Sequence, residues 1–144
     1  MESGLRMLAR RPHARRELAL KLARRGYRPE EVETALSRFS RLGYLDDESF
    51  AAALVRRRSP TRGSALVAAE LARRGVEREV ARGALEGMTD EQQVAAATRI
   101  ALRVLGSRRM PFAEALRTLG PRLARRGFSG VVVVSACRAA AHHA

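Results

Sequence analysis

The sequence has a single cysteine, Cys137, which excludes an internal disulfide framework and a cysteine-based zinc site. No apolar run approaches the roughly 18 residues needed to span a bilayer, so no membrane partner or membrane-crossing helix is expected. Met1 to Glu17 carries a charge every few residues and has no apolar stretch of the signal-peptide kind. Lysine is nearly missing: Lys21 stands alone beside 27 arginines. There is no glycine-rich phosphate loop, no metal-ligand spacing and no nucleophile beside a plausible base. Together these absences predict a soluble, cytoplasmic chain that is not an enzyme and needs neither cofactor nor metal.

What is present is charge and enough apolar residues to fold. Among 144 residues, 28 are basic and 15 acidic, a formal net charge of +13, and 46% are hydrophobic. That apolar share supports a core and is too high for a disordered basic tail. The charge is unevenly spread: +6 over residues 1–45, −1 over 46–94 and +8 over 95–144. A coding bias towards arginine and alanine would raise the count, but it gives no reason to spare the middle. A net charge of this size attracts nucleic acid whatever its origin.

The string Leu-Ala-Arg-Arg-Gly occurs three times, at Leu22 to Gly26, Leu71 to Gly75 and Leu123 to Gly127. Each copy is followed by an apolar residue: Tyr27, Val76 or Phe128. Upstream of the glycines stand Leu18, Val67 and Leu119; downstream stand Ala35, Ala84 and Ala136, each followed by Leu36, Leu85 or Cys137. Gly43-Tyr44-Leu45-Asp46-Asp47-Glu48-Ser49-Phe50-Ala51 returns in looser form as Gly87-Met88-Thr89-Asp90-Glu91-Gln92-Gln93-Val94-Ala95. The register predicts an all-α fold of three tandem three-helix repeats, 1–44, 45–88 and 89–144, stacked in an elongated, curved array.

In the middle repeat, Asp46 or Asp47 caps a helix that buries Phe50, Ala51, Leu54 and Val55 and ends at Ser59-Pro60. A second helix, from about 62 to 74, buries Leu66, Val67 and Leu71, and Gly75 closes it. A third, from about Glu77, buries Val80, Ala84 and Leu85. The first repeat follows the same plan: Pro29 opens its third helix, and Val32, Leu36, Phe39 and Leu42 share a face. The last repeat departs from it. Gly120-Pro121 falls inside its second helix and predicts a kink or a shortened helix. Val131 to Val134 is locally a strand signal, yet the register makes it helical with Val132 and Val133 inside.

The arginine pairs Arg24/Arg25, Arg73/Arg74 and Arg125/Arg126 each end a helix, where the dipole favours a cation. That accounts for one arginine of each pair better than for two. The repeat places the pairs at equivalent sites, so they are candidate partner contacts, with Arg56, Arg57, Arg58, Arg108 and Arg109 adding charge near helix junctions. Cys137 shares its register with leucines and is expected to be a buried apolar residue. Tyr27 and Phe128 are expected to pack rather than stack on bases. His142 and His143 mark a chain end rather than a metal site, and Asp46 and Asp47 a helix cap rather than a carboxylate pair.

Leu8-Ala9-Arg10-Arg11-Pro12, then Glu17-Leu18, Gly26-Tyr27 and above all Gly43 to Ala51, set in this repeat plan, resemble the bacterial RecX family. The resemblance covers nearly the whole chain and is weakest in the third repeat. It implies a non-catalytic regulator that binds RecA filaments on single-stranded DNA and inhibits strand exchange, ATP hydrolysis and co-protease activity. Weak, non-specific contact with single-stranded DNA and a monomeric state belong to the same expectation. The alternative is a helical-repeat module that binds DNA or RNA independently of RecA. The threefold period argues against a helix-turn-helix protein, which has no reason to repeat its recognition helix.

Overall fold

The computed structural model describes residues 1–143, with side chains as far as His142. These residues form nine helices: α1 (Glu2–Arg10), α2 (Arg15–Arg24), α3 (Pro29–Arg41), α4 (Asp47–Arg58), α5 (Ser64–Arg73), α6 (Arg78–Leu85), α7 (Asp90–Leu105), α8 (Phe112–Arg125) and α9 (Gly130–His143). Among the described residues there is no strand. The helices group in threes along an elongated, curved array.

Local chemistry sets the helix ends. Pro29 opens α3 in its first turn, and Glu31 reaches back to the Arg28 N–H. The Asp46 carboxylate accepts from the N–H groups of Glu48 and Ser49, and Thr89 forms a capping box with Gln92. Gly26, Gly75 and Gly127, at φ of 93°, 81° and 94°, turn the chain out of α2, α5 and α8. The left-handed region is cheap only for glycine, so the repeated string marks the same turn three times.

Each unit has its own core. Leu18, Leu22, Leu36 and Phe39 fill the first, Phe50, Leu54, Val67 and Leu71 the second, and Leu105, Leu119, Leu123 and Val132 the third. Two residues cross over: Ala14 lies in the second core and Leu45 in the first. In the third unit α9 packs against both α7 and α8.

Three expectations need correction. The helix α8 is not shortened at Gly120-Pro121 but continues from Phe112 to Arg125. Pro121 faces solvent while Gly120 is buried beside Val133 of α9, so packing overrides the local cost. Leu42 is 55% exposed and Leu66 36% exposed, not buried. Leu42 falls just past the last turn of α3, and Leu66 lies against the Gly127 turn of the next unit rather than inside its own. The valine run is helical, with Val132 and Val133 buried and Val131 70% exposed.

Candidate polyanion-binding cleft

The units meet through polar joints rather than through one continuous core. Between the first and second, the Arg15 N–H at the start of α2 donates to the Asp47 carboxylate at 2.9 Å. Gly75 lies against Arg16, so close that an added Cβ would stand 2.6 Å from that of Arg16. Between the second and third, the first N–H groups of α5 are capped by the neighbour. Gly63 donates to the Arg126 carbonyl at 2.8 Å, Ser64 to Gln93 Oε1 at 3.0 Å and Ala65 to the Gly127 carbonyl at 3.2 Å. The carbonyl end of α8 thus meets the amide end of α5, where their dipoles attract.

The first joint brings two arginine pairs to one place. The last turns of α2 and α5 wall a cleft of about 470 Å³, with Arg24 on one side and Arg73 and Arg74 on the other. Arg11, Arg16 and Lys21 also line it, with Leu20 at 52% exposure and a single carboxylate, Glu17. A neighbouring hollow of about 540 Å³ shares Arg11, Lys21 and Arg24 and adds Arg10, Arg25 and His13, extending the cationic surface along the first unit. Like charges gathered around a concave surface raise the local concentration of an anionic ligand.

The polar groups of this surface are held in place. His13 is buried; its Nδ1 bonds to the Arg11 carbonyl at 2.9 Å, and Lys21 Nζ donates to its Nε2 at 3.0 Å. An ammonium only donates, so this pattern assigns a neutral ring with its proton on Nδ1. Burial holds His13 below its ordinary pKa, the bond to the Arg11 carbonyl opposing. For Glu17, burial pushes the carboxyl up, but the hydrogen bonds from Arg11 and the charges of Arg11 and Arg74 outweigh it, and its pKa falls below the usual range.

The remaining candidates divide by surroundings. Arg58 and Arg74 are only partly exposed and bind the buried carboxylate of Glu70, Arg58 through paired bonds at 2.9 and 3.0 Å and Arg74 at 3.2 Å. Arg62 joins them at 3.1 Å, and Arg74 lies over the Phe50 ring. Both arginines therefore have a structural task as well, since they hold the second unit together around Glu70. Arg108 caps α7 through the carbonyls of Val104 and Leu105, and Arg126 reaches the Thr61 carbonyl across the second joint. Arg125/Arg126 thus stands outside the cleft that Arg24 shares with Arg73 and Arg74. Arg56 lines a separate groove of about 520 Å³ between α4 and α7, opposite Arg99. Arg57, Arg109 and Arg125 lie on the exposed surface.

Sequence reasoning passed over Arg11, Arg16, Glu17, Lys21 and His13. The spacing of Glu17, Lys21 and Arg24 puts them on one face of α2 and was the available signal. Arg11 and Arg73 are joined to that face only by the tertiary fold. A larger groove of about 800 Å³ on the same seam has an apolar floor that includes Leu36, Ala68 and Val76 and carries both signs at its rim. Its charge selects no polyanion. Phe128 is buried, and the Tyr27 hydroxyl bonds to Ser3 Oγ at 2.9 Å, so neither is offered to a base. Cys137 is fully buried, with its thiol pKa pushed up by burial. Among the described residues no cluster is placed to hold a metal ion, and no helix is long and apolar enough to cross a membrane. His142 is exposed, and the side chain of His143 lies outside the described set.

Family models for the first and second three-helix domains of RecX match residues 1–39 and 46–85. The chain is 40% identical over 128 residues to the regulatory protein RecX of Thermobifida fusca, covering 87% of this chain and 69% of the relative. It is 34% identical over 141 residues to the regulatory protein RecX of Pelodictyon phaeoclathratiforme, covering 96% and 86%. The chain belongs to the RecX family. Its fold is that of the crystal structure of RecX from Lactobacillus salivarius, with a TM-score of 0.86 at 20% identity over 96% of this chain and 92% of that one. A second crystal structure of a regulatory protein RecX matches with a TM-score of 0.77 at 25% identity, over 89% and 66%. RecX-family proteins are regulators by name.

Proposed function

We propose that this chain regulates the RecA recombinase by binding RecA filaments on single-stranded DNA, and that it inhibits strand exchange, ATP hydrolysis and co-protease activity without chemistry of its own. The observation that carries this reading is membership of a family whose curated members are regulatory proteins. The physical reading supports it. A short helical array with a cationic cleft at its first joint suits the groove of a nucleoprotein filament, where it can bridge protomers and approach the phosphates.

In this reading the working units are 1–44, 45–88 and 89–144, acting as a monomer. The cleft lined by Arg24, Arg73 and Arg74 with Arg11 and Lys21 takes the DNA backbone, Arg25 extends it along the neighbouring hollow, and Arg56, Arg57, Arg109 and Arg125 supply flanking contacts. Phosphate contacts position a protein without reading sequence, so direct DNA binding is weak and non-specific.

The test is RecA ATP hydrolysis on single-stranded DNA, with and without this protein. Inhibition at substoichiometric protein is expected, weakening steeply as salt rises. The double variant Arg24→Gln/Arg73→Gln should keep the melting temperature. It should lose much of the inhibition and flatten the salt slope for direct single-strand binding by about 1.4, from two lost phosphate contacts. No effect on hydrolysis, together with tight sequence-specific duplex binding, would overturn the reading in favour of a module acting on DNA alone.

A further inference from the structure

The cleft is lined by one carboxylate, Glu17, and it bridges the two units. Glu17 accepts two bonds from Arg11, at 3.1 and 2.9 Å, and a third from Arg74 at 3.4 Å. Its side chain is 17% exposed, so the pair is partly desolvated and open to the cleft. The fork of a guanidinium meeting two oxygens is the arrangement arginine also makes with a phosphodiester. Glu17 therefore fills, from inside the protein, an anion position of the kind the cleft offers to a ligand.

We propose that Glu17 is an internal stand-in for a backbone phosphate, occupying the anion position between Arg11 and Arg74 in the free protein and displaced when a single-stranded nucleic acid enters. The proposal rests on the reading of the cleft as a polyanion site. Three features favour exchange over a fixed structural pair. Arg74 keeps its bond to Glu70 at 3.2 Å when it releases Glu17, so the second unit stays intact. Lys21 lies four residues further along α2, on the Glu17 face, and receives the freed carboxylate at the favourable spacing. The cations nearby, Arg16, Arg24 and Arg73 among them, outnumber the one carboxylate, so an incoming phosphate chain finds partners before the Glu17 pair must open.

The chemistry of the walls points to nucleic acid rather than an acidic peptide. A phosphodiester chain brings only acceptors. A peptide brings N–H groups that need acceptors, and the cleft side chains offer Glu17 alone, while Lys21 already occupies the acceptor nitrogen of His13. The stand-in also sets a threshold. A single small anion must compete with a tethered carboxylate, whereas a chain engaging several cations at once gains from linkage. Glu17 thus discriminates polymers from monoanions.

The experiment measures anisotropy of labelled oligo(dT) bound by the full chain, with a melting curve for each variant. Glu17→Gln should tighten binding several-fold and steepen its salt dependence. Glu86→Gln, the same charge change on the exposed end of α6, should alter it by less than twofold. Glu17→Asp keeps the charge but withdraws it by one methylene, and should tighten binding to an intermediate degree; it serves if Glu17→Gln fails to fold. Equal effects at Glu17 and Glu86 would reduce the result to net charge and overturn the proposal. So would weaker binding by a folded Glu17 variant. Displacement of oligo(dT) by polyglutamate as readily as by unlabelled oligo(dT) would overturn the choice of nucleic acid. If Arg24→Gln/Arg73→Gln binds like the unaltered protein, or if no form binds, the cleft reading itself falls, and the stand-in with it.

Discussion

Glu70 shows how three arginines can be structural in a protein whose surface is otherwise cationic. Its carboxylate is almost fully buried between α4 and α5 and meets Arg58, Arg62 and Arg74 within 3.2 Å. The hydrogen bonds from Arg58, aided by its charge and by Arg74, outweigh burial and hold the Glu70 pKa at about 2. A carboxylate whose folded pKa lies below its unfolded value stabilises the fold at neutral pH, and that contribution disappears as pH falls through the acid range towards about 2. A depression of this size corresponds to about 3 kcal/mol. Glu70→Gln should lower stability by a similar amount at pH 7, because it leaves three guanidiniums without their anion. It should also flatten the loss of stability between about pH 5 and pH 2. Denaturant melts of both proteins across that range check this; parallel pH profiles would show that Glu70 does not carry the effect. The composition announced an excess of arginine but not which ones face inward, because Glu70 is one acid among 15 until the fold buries it.

At the scale of the element, α8 is the case where local rules and packing disagree. Pro121 lacks the N–H that would close an intrahelical bond to Arg117, yet the helix continues to Arg125. The helix survives because Leu119, Gly120 and Leu123 are buried and α9 packs along α8, so breaking it would open the third core. Pro121→Ala should therefore raise stability by about 2 kcal/mol, the recovered helical bond less the lost rigidity of the unfolded chain. A melting temperature unchanged or lowered by the substitution would show that α8 depends on the proline. Helix positions and caps were legible elsewhere because caps and periodicity act within a few residues. Asp46 begins α4 and the glycine turns fall where the repeated string placed them. Leu42 and Leu66 were misplaced because a periodic pattern does not say where the facing helix ends.

At the scale of the molecule, the joints decide what the array can do. The backbones at Gly63 and Gly127 are in contact, and a Cβ on Gly63 would strike the Gly127 carbonyl. Gly63→Ala should push the third unit off the second while each keeps its own core, since Val67 and Leu71 lie in one and Leu123 and Val132 in the other. Small-angle scattering should record a larger radius of gyration at nearly unchanged helical circular dichroism. An unchanged radius would show that the joint accommodates the methyl group. The amino-acid sequence by itself determined the helical class, the three-unit period, the glycine turns and the cationic character, all of which arise from short-range patterning and composition. Only the tertiary structure decided that Arg24 shares a cleft with Arg73 and Arg74 while Arg126 closes a joint. Only it turned Arg58 and Arg74 inward to Glu70 and set Glu17 between Arg11 and Arg74. Those outcomes depend on how separate units meet, and contacts between residues as far apart as Glu17 and Arg74 leave no periodic trace along the chain.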